Sequence, residues 1–580
     1  MKAIIHDTHE AIKKEGGIGA VIEGLLDCEE LSSYDQIVMG AVSRDEIKEY
    51  IEKGSNRPID SGFLARIKRI ENRYNIKLHY GFHTVLGQER ELLLVNLEGM
   101  DKELGDKFKA KIHDFTDPEV NKDSLLHALD CWRYEYIHDC NEHVLRSLPL
   151  LNALEAVLVH KKCKSAVLVS HEYMGSVGLI ASAMDSLRPA GEVKRVFWAH
   201  ENPFARNLTE EFELGNGRGH DLMFYNVLDT ALSSGMQIRD IPEFWNKVEG
   251  NYRYNMIMAA MPFIDNLIAV GDYTKKEFVF GGAPEEEISV VPNGIPVEVI
   301  SVSEKNESVQ KLRQYSCNLG LFNKTRPDYI FTQVARCVPS KGFWRSAGIM
   351  HHIDDMLKQH RETAVLFLVV NAGRREVDDI LKWEKYSWPV EHTKNDLKYY
   401  DKIVWEFIRY YNRKHENTQI VLLNQFVTDS KSCGTRMPGD MSFMDFRYGT
   451  HVELNPAIYE PFGISCIEPL PYGALIVISS VCGCAGFLRE YEGYDNSPVI
   501  IGDYVPAINK NIEDLLTIGQ GVRDKTETEA NRELAYRIYT SLKDREFPME
   551  ARIHMGYAIA ENFTWNRIAR DNLAKIFGQS

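Results

Sequence analysis

Short apolar runs alternate with longer stretches of helical periodicity along this chain, and this alternation constrains the fold more than any other feature. The apolar runs lie at residues 2–5, 165–170, 193–198, 329–336, 363–373, 418–427 and 474–479. Runs of this length, rich in Val, Ile and Leu and separated by helices, are typical of parallel strands that are buried on both faces. The sequence therefore predicts an α/β protein built on doubly wound, Rossmann-like sheets.

The alternation occurs in two series, and the length of 580 residues exceeds that of one ordinary domain. We expect a first domain over residues 1–315, with a helical insertion at about 203–255, and a second domain over residues 316–548. The polar stretch 300–325 is interpreted as an arm or linker, and residues 549–580 are expected to be helical. The sequence thus predicts two domains of the same α/β plan.

Composition limits the class of partner. The net charge is −16, with acids and bases interspersed, which argues against nucleic acids and anionic membranes. No stretch reaches 18 apolar residues, so no transmembrane helix is expected, and the apolar run in the opening MKAIIHDTHE is too short for a secretion signal. The ten cysteines have neither a disulfide framework nor a zinc-site spacing. We therefore expect a cytoplasmic protein with free thiols and without a metal site.

The segment HVELNPAIYEPFGISCIEPLPYGAL at 451–475 places two carboxylates, Glu460 and Glu468, around a turn at Gly463. A glycine there permits a tight turn and leaves neighbouring N–H groups free to face a ligand. If a helix starts at the turn, its N-terminus favours a phosphate. The two carboxylates could then accept hydrogen bonds from sugar hydroxyls. The alternative interpretation is a strand–turn–helix corner with two surface acids.

Two cations lie at the carboxyl end of a predicted strand. Arg336 is the last residue of the strand, and Lys341 lies five positions later in a Pro-Ser-Lys-Gly loop. Ligands collect at the carboxyl ends of strands in open parallel sheets. Fixed cations at such a position can neutralise the charge that builds on a departing diphosphate. Together with the acidic corner, they indicate a site for a nucleotide diphosphate that carries a sugar. The alternative is a solvated loop.

Histidines end two predicted strands of the first half. His171 follows the run that begins at Ser165, and His200 follows the run that begins at Val193. A single histidine in such a place is usually structural, but two at the carboxyl ends of strands in one domain favour a site. The glycine-rich segment at 14–19, which precedes a predicted helix, suits the approach of an anionic group, with a flexible turn as the alternative.

Together these motifs resemble those of glycogen synthases, which are retaining glycosyltransferases with two Rossmann-like domains (the GT-B fold). The animal and fungal branch is the most similar. The matching segments are KEGGIG at 14–19, HEYMGSVGL at 171–179, HENPFAR at 200–206, ARCVPSKG at 335–342, YEPFGISCIE at 459–468, CGCAGFLRE at 482–490 and ENFTWNRIA at 561–569. The resemblance spans the chain from its first loop to its last helix, with gaps at about 30–120 and 376–416.

The resemblance implies roles for the matched residues of the second domain. Glu460 would lie by the donor sugar and Glu468 by the ribose. Arg336 and Lys341 would hold the diphosphate, which Gly17 of the first domain would approach.

In the first domain, the resemblance implies that His171 and His200 line the sugar pocket and that Arg206 lies near the donor phosphates. The remaining members of the implied donor-binding set are Lys14, Gly16, Asn202, Pro461, Phe462, Gly463 and Ile464. The last helix would return to the first domain.

The implied activity is the transfer of a glucosyl or other hexosyl unit from UDP- or ADP-glucose to an α-glucan or a related glycoside. The acceptor hydroxyl would attack from the face that the diphosphate leaves and pass its proton to a phosphate oxygen. Such a reaction needs positioning and charge stabilisation, and neither a cofactor nor a metal ion is expected. Whether the protein is a homo-oligomer is left open.

Two departures from the family pattern stand out. Pro469 and Pro471 predict that the helix after the turn either starts late or is very short, and that Glu468 is displaced from a ribose. The late chain also lacks the Arg-rich cluster that senses a sugar phosphate, so no such activation is expected. A phosphorylase-like enzyme and a non-catalytic scaffold that binds glycan or nucleotide are the alternative functions.

Overall fold

The computed structural model describes the chain except for residues 1, 14–15, 51–59, 86, 118–127, 188, 190, 217–219, 372–376, 426–427, 492–496, 546 and 579–580. The chain divides into two compact units. The first unit comprises Met1–Ala205, Ala231–Gly294 and Trp565–Ser580, and the second comprises Arg206–Thr230 and Ile295–Thr564. Among the described helices, none combines the length and the apolar character that a membrane span requires.

The first unit contains an eight-stranded sheet with the order β3-β4-β2-β1-β5-β6-β7-β8. Its strands are β1 Lys2–Asp7, β2 Asp35–Ala41, β3 Lys77–Val85, β4 Gln88–Asn96, β5 Ser165–His171, β6 Glu192–Ala199, β7 Asn266–Ala269 and β8 Ile288–Val290. All neighbouring strands are parallel except β3 and β4, which form an antiparallel pair at one edge. The three strands β1, β5 and β6 therefore bring their carboxyl ends to one edge of the sheet.

The second unit contains a six-stranded sheet with the order β11-β10-β9-β12-β13-β14, and all its strands are parallel. Its strands are β9 Tyr329–Arg336, β10 Ala364–Asn371, β11 Thr418–Leu423, β12 Val452–Asn455, β13 Leu475–Ser479 and β14 Val499–Gly502. Leu366 and Leu368 of β10 belong to one buried cluster, and the alternate residues Val365 and Phe367 belong to another. Both faces of the sheet are therefore covered, as the uninterrupted apolar run predicted, and the two-sheet α/β fold is confirmed.

Both units contain helices, and these are numbered in chain order. They are α1 Gly17–Leu26, α2 Arg44–Tyr50, α3 Ser61–Tyr74, α4 Lys102–Thr116, α5 His138–His160, α6 Ser176–Ala183, α7 Pro203–Asn216, α8 Asp221–Ser233, α9 Pro242–Val248, α10 Tyr252–Ala260, α11 Asp272–Phe280, α12 Val302–Asn318, α13 Phe343–His360, α14 Val377–Glu384, α15 Asp401–Asn412, α16 Ser430–Cys433, α17 Phe443–Gly449, α18 Ile464–Ile467, α19 Gly483–Leu488, α20 Ile512–Leu516, α21 Gln520–Lys543, α22 Met549–Ala560, α23 Trp565–Ile568 and α24 Ala574–Phe577.

The interpretation of residues 300–325 as an arm or linker is wrong, because most of this stretch forms α12. Ser301 caps the helix by accepting a hydrogen bond from the Glu304 N–H, and the Glu304 carboxylate accepts one from the Ser301 N–H. The apolar face of α12 is narrow but deeply buried, with Leu312 and Tyr315 in the core. The polar composition concealed the helix, although the Ser-x-x-Glu capping box is a sequence signal that could have identified its start.

Most of the described residues of 203–255 lie in the helices α7 to α10, and the part Arg206–Thr230 belongs to the second unit. A buried ion-pair network links this segment to the rest of the second unit. The Asp221 carboxylate accepts two hydrogen bonds from the Arg345 guanidinium, at 2.9 and 2.7 Å, and neither side chain is exposed. Since a buried charge without a partner is costly, this pair holds α8 against α13.

Candidate functional site

Lys341 and Glu460, which are 119 residues apart in sequence, meet in the second unit. The Lys341 Nζ donates a hydrogen bond to Glu460 Oε2 at 2.5 Å, and both side chains are about nine-tenths buried. Lys341 ends the single helical turn that follows β9, and Glu460 follows β12, the neighbouring strand. The parallel sheet therefore brings both groups to the carboxyl ends of adjacent strands, and their opposite charges form a strong charge-assisted bond.

Glycine is required at position 342, directly after Lys341. Its φ is +62°, and a Cβ there would lie 2.4 Å from the carbonyl oxygen of Pro456. The loop can therefore pass close to the chain after β12, which sets the distance between the amine and the carboxylate.

Arg336 ends β9 and is exposed. Within the described chain, its guanidinium makes no ion pair or hydrogen bond with another side chain. The second cation of the predicted pair is thus available to an anion from solvent, whereas the first is already neutralised by Glu460.

The turn at Gly463 has the geometry that the sequence predicted, since its φ is +96° and α18 begins directly after it. The helix has only four residues, as the two prolines that follow it indicated. Within the described chain, the N–H groups of Ile464 and Ser465 have no hydrogen-bond acceptor. These N–H groups, rather than the dipole of so short a helix, could receive an anion.

Replacing Gly463 by Ala should lower the free energy of unfolding of the second unit by about 1–3 kcal/mol. The substitution forces a side chain into a left-handed conformation and places a Cβ 2.6 Å from Cys466 Sγ. Urea unfolding measures the change. Gly439→Ala is the matched control, because position 439 has open space around it, and its midpoint should stay constant. Equal midpoints for the two variants would contradict the prediction.

Glu468 lies on the other side of the turn and faces an arginine that the sequence did not single out. Arg447 Nη2 is 3.3 Å from Glu468 Oε2, and Arg447 Nη1 is 3.1 Å from Glu453 Oε2. Burial raises the pKa of Glu453, although the charge of Arg447 opposes the shift. The ribose role of Glu468 therefore stays a prediction. No local pattern in the sequence marks Arg447 or Glu453 as part of the site, and the structure places Arg447 in α17 and Glu453 in β12.

Three cysteines surround the same turn and are fully buried: Cys466, Cys482 and Cys484. Burial alone would raise the pKa of the Cys466 thiol, but hydrogen bonds from the other two thiols outweigh burial and lower that pKa to about 6. Within the described residues, no set of three or more His, Cys, Asp or Glu side chains is arranged to hold a metal ion.

In the first unit, the two predicted histidines are in direct contact. His171 Nδ1 and His200 Nε2 are 2.9 Å apart, and the two rings stack with centroids at 5.2 Å. Trp198 stacks on both rings. A third histidine that sequence reasoning missed, His6 on β1, lies 3.0 Å from His171. Burial lowers the pKa of all three imidazoles, to about 4 for His6 and about 3 for His200, so the cluster is neutral at pH 7.

Glu172 connects the ends of β5 and β6. Its backbone has a φ of +67°, and its N–H donates to the Trp198 carbonyl. Its Oε1 accepts a hydrogen bond of 2.6 Å from the Glu201 N–H. Burial raises the pKa of this carboxyl, and the charge of Glu201 adds to the effect. The strained backbone therefore serves to hold the loop that carries His200.

Two other predicted donor-binding residues, Asn202 and Arg206, make contacts within their own unit. Asn202 Oδ1 accepts a hydrogen bond from the Phe204 N–H at the start of α7, which is the role of a helix cap. Arg206 is paired with Glu210 across one turn of the same helix.

The glycine-rich loop differs from the expectation of an open anion site. The N–H groups of Gly16 and Gly19 both donate to the Glu10 carboxylate, at 3.0 and 2.9 Å. The chain's own acid thus takes the place that an anionic ligand was expected to take. Gly17 begins α1 and is exposed, and Lys14 lies outside the described residues.

Three solved structures are among those to which the chain is similar. The α,α-trehalose-phosphate synthase (UDP-forming) from Burkholderia vietnamiensis has 11% identity, coverage of 99% of both chains and a TM-score of 0.49. HepE of Anabaena, in complex with UDP and glucose, has 12% identity, coverage of 98% of this chain and 99% of that chain, and a TM-score of 0.47. Sucrose-phosphate synthase from Thermosynechococcus elongatus has 12% identity, coverage of 99% and 98%, and a TM-score of 0.47.

No family model and no curated protein matches this sequence. Identities this low and TM-scores below 0.5 assign no chemistry, so function has to be inferred from the side chains themselves.

Proposed function

We propose that the protein is a retaining glycosyltransferase that transfers a hexosyl unit, with glucosyl as the first candidate, from a nucleotide-sugar to an α-glucan or a related glycoside. The observation that carries the proposal is the buried Lys341–Glu460 pair beside the Gly463 turn and the exposed Arg336. Cations, unpaired N–H groups and a carboxylate at one edge of a parallel sheet can bind a diphosphate and a sugar hydroxyl together.

In the proposed mechanism, Lys341 and Arg336 bind the diphosphate and stabilise the negative charge that grows on it as the glycosidic bond breaks. Glu460 accepts a hydrogen bond from the donor sugar and holds the amine of Lys341 in place. The acceptor hydroxyl attacks from the face that the diphosphate leaves, and its proton passes to a phosphate oxygen. His200 of the first unit is proposed to bind a sugar hydroxyl. The sequence-based role of His171 in the sugar pocket does not fit, because this side chain is fully buried and both its ring nitrogens bond to His6 and His200.

Incubation with UDP-, ADP- and GDP-glucose, each with glycogen, malto-oligosaccharides and simple sugars, tests this function. We expect nucleotide release that depends on the acceptor, and proton NMR of the product should show the anomeric configuration of the donor. Absence of release with every donor, together with no binding of free nucleotide, would overturn the proposal. Formation of a sugar phosphate from a disaccharide without nucleotide would instead support a phosphorylase.

Replacing Glu460 by Gln should abolish most turnover and leave nucleotide affinity within a few fold. The variant loses a hydrogen bond to a charged group, worth about 1.5–3 kcal/mol, while Lys341 keeps its charge for the diphosphate. Initial rates and nucleotide titrations measure the two effects. The exposed Glu490 supplies the control variant Glu490→Gln, which should match the wild type. Loss of nucleotide binding with unaltered sugar recognition would reverse the assignment of the two carboxylates.

A further inference from the structure

Four side chains of the first unit form one continuous series of hydrogen bonds. Gln36 Oε1 lies 3.1 Å from His6 Nε2, His6 Nδ1 lies 3.0 Å from His171 Nε2, and His171 Nδ1 lies 2.9 Å from His200 Nε2. Every hydrogen bond of the series thus joins the Nε2 of a histidine to an oxygen or an Nδ1 of the preceding side chain. The series ends at His200 Nδ1, to which no residue of the described chain donates a hydrogen bond.

The first member of the series gives it a direction. Gln36 Nε2 donates to the Leu25 carbonyl at 3.0 Å, which orients the amide so that its oxygen faces His6. An amide oxygen can only accept, so His6 must carry its proton on Nε2.

The direction then passes from ring to ring. A neutral imidazole has one protonated nitrogen, so His6 Nδ1 is bare and accepts from His171 Nε2–H. By the same step, His171 Nδ1 is bare and accepts from His200 Nε2–H. His200 Nδ1 is therefore left as a hydrogen-bond acceptor.

The fold keeps the rings in this arrangement. The strands β1, β5 and β6 are neighbours in the sheet, and His6 lies on β1 while His171 ends β5. The His200 ring is nearly parallel to Trp198, with an interplanar angle of 6°, and remains only half-buried. The last acceptor of the series is thus oriented by packing and is within reach of a ligand.

We propose that Gln36 and His6 are positioning residues that fix His200 in its Nε2–H form, so that His200 Nδ1 accepts a hydrogen bond from a substrate hydroxyl. The fixed tautomer follows from the geometry of the first unit. The identity of the hydroxyl as that of a sugar rests on the proposed function. Neither positioning residue contacts substrate in this scheme.

Nitrogen-15 NMR of the protein labelled at histidine tests the tautomer directly and does not need activity. We expect His6, His171 and His200 to show a protonated Nε2 and a bare Nδ1 throughout pH 6–8. A protonated Nδ1 on His200, or a cationic ring at pH 7, would overturn the proposal.

Gln36→Met removes the acceptor at the start of the series and keeps a side chain of similar length. The ratio of the Nε2–H to the Nδ1–H form of His200 should fall about tenfold, as expected for the loss of one hydrogen bond. Gln36→Glu retains an acceptor at the same place, so the ratio in this variant should equal that of the wild type. Gln88→Met, which removes another half-buried amide of the first unit, is the matched control and should leave the ratio unchanged.

Activity separates this proposal from the proposed function. With an active donor and acceptor, Gln36→Met should raise the KM for sugar severalfold with a smaller change in kcat. Gln36→Glu should have the KM of the wild type. A changed tautomer with unchanged KM would overturn the role of His200 Nδ1 in binding. If no donor is used by the wild type, the proposed function fails, while the NMR result still decides whether the tautomer is fixed. If Gln36→Met does not fold, the wild-type and Gln36→Glu spectra decide.

Discussion

Lys341→Met should lower the rate of glycosyl transfer by about 100- to 1,000-fold, the effect typical of removing one group that stabilises charge in the transition state. The Lys341 amine is the buried cation of the candidate site, and Arg336 is exposed to solvent, which weakens its field. The substitution also leaves the Glu460 carboxylate without its cation. We therefore expect weaker binding of the diphosphate as well as slower turnover.

Steady-state rates and titration with the free nucleoside diphosphate measure the two effects of Lys341→Met. Lys358→Met removes an exposed lysine from α13 of the same unit and serves as the control, with wild-type kinetics expected. A circular-dichroism spectrum that matches the wild type ensures that a loss of activity reports on the site. Rates within threefold of the wild type would remove Lys341 from the mechanism.

Asp221→Asn should lower the free energy of unfolding of the second unit by about 3–5 kcal/mol, the cost of breaking a buried ion pair. The Asp221 carboxylate is 2.7 Å from Arg345 Nη2 and 3.6 Å from Arg523 Nη2. Burial alone would lower the pKa of Arg345, but the charges of Asp221 and Glu527 outweigh burial and raise that pKa. Asparagine keeps the shape of the side chain and removes its charge, so two buried guanidinium groups would share one carboxylate.

The midpoint of urea unfolding, followed by tryptophan fluorescence, measures the effect of Asp221→Asn. Glu103→Gln breaks an ion pair between two exposed side chains and should leave the midpoint unchanged. The prediction fails if the two variants unfold at the same urea concentration. Arg345→Met combined with Asp221→Leu should recover part of the stability, because it removes the charges from both sides of the pair.

The sequence predicted the α/β fold well because periodicity is a local property. In strands such as β10, every residue before the final Asn371 is apolar, and in the helices between the strands apolar residues recur every three or four positions. The error at α12 also came from relying on a local property. A helix that buries few apolar side chains has a composition similar to that of a linker. Its capping box was the more reliable signal.

The candidate site was predicted only where strand ends mark it. Lys341, Glu460 and His200 follow strands and His171 is the last residue of β5, and position relative to a strand can be predicted from the sequence. His6 follows the apolar run predicted at residues 2–5 but was not singled out, and the structure places it within β1 Lys2–Asp7.

Contacts that form only when separate segments pack together could not be inferred, even where the partners lie within ten residues of each other in sequence. The Arg447 contacts to the acids beside the Gly463 turn, and the Glu10 carboxylate under the glycine-rich loop, depend on how separate segments pack. Local patterns carry no information about such pairs, and a carboxylate from the chain itself can occupy a position that a motif reserves for a ligand.

The interleaving of the two units along the chain affects how the protein can be made. A fragment that ends at Gly294 carries Arg206–Thr230, which belongs to the other unit, and lacks Trp565–Ser580 of its own. In that last segment, Trp565 packs so closely on α1 that a Cβ at Gly24 would overlap its indole. During synthesis, the unit that starts first is therefore the last to be completed, and until then the face of α1 that Trp565 covers is exposed to chaperones and proteases.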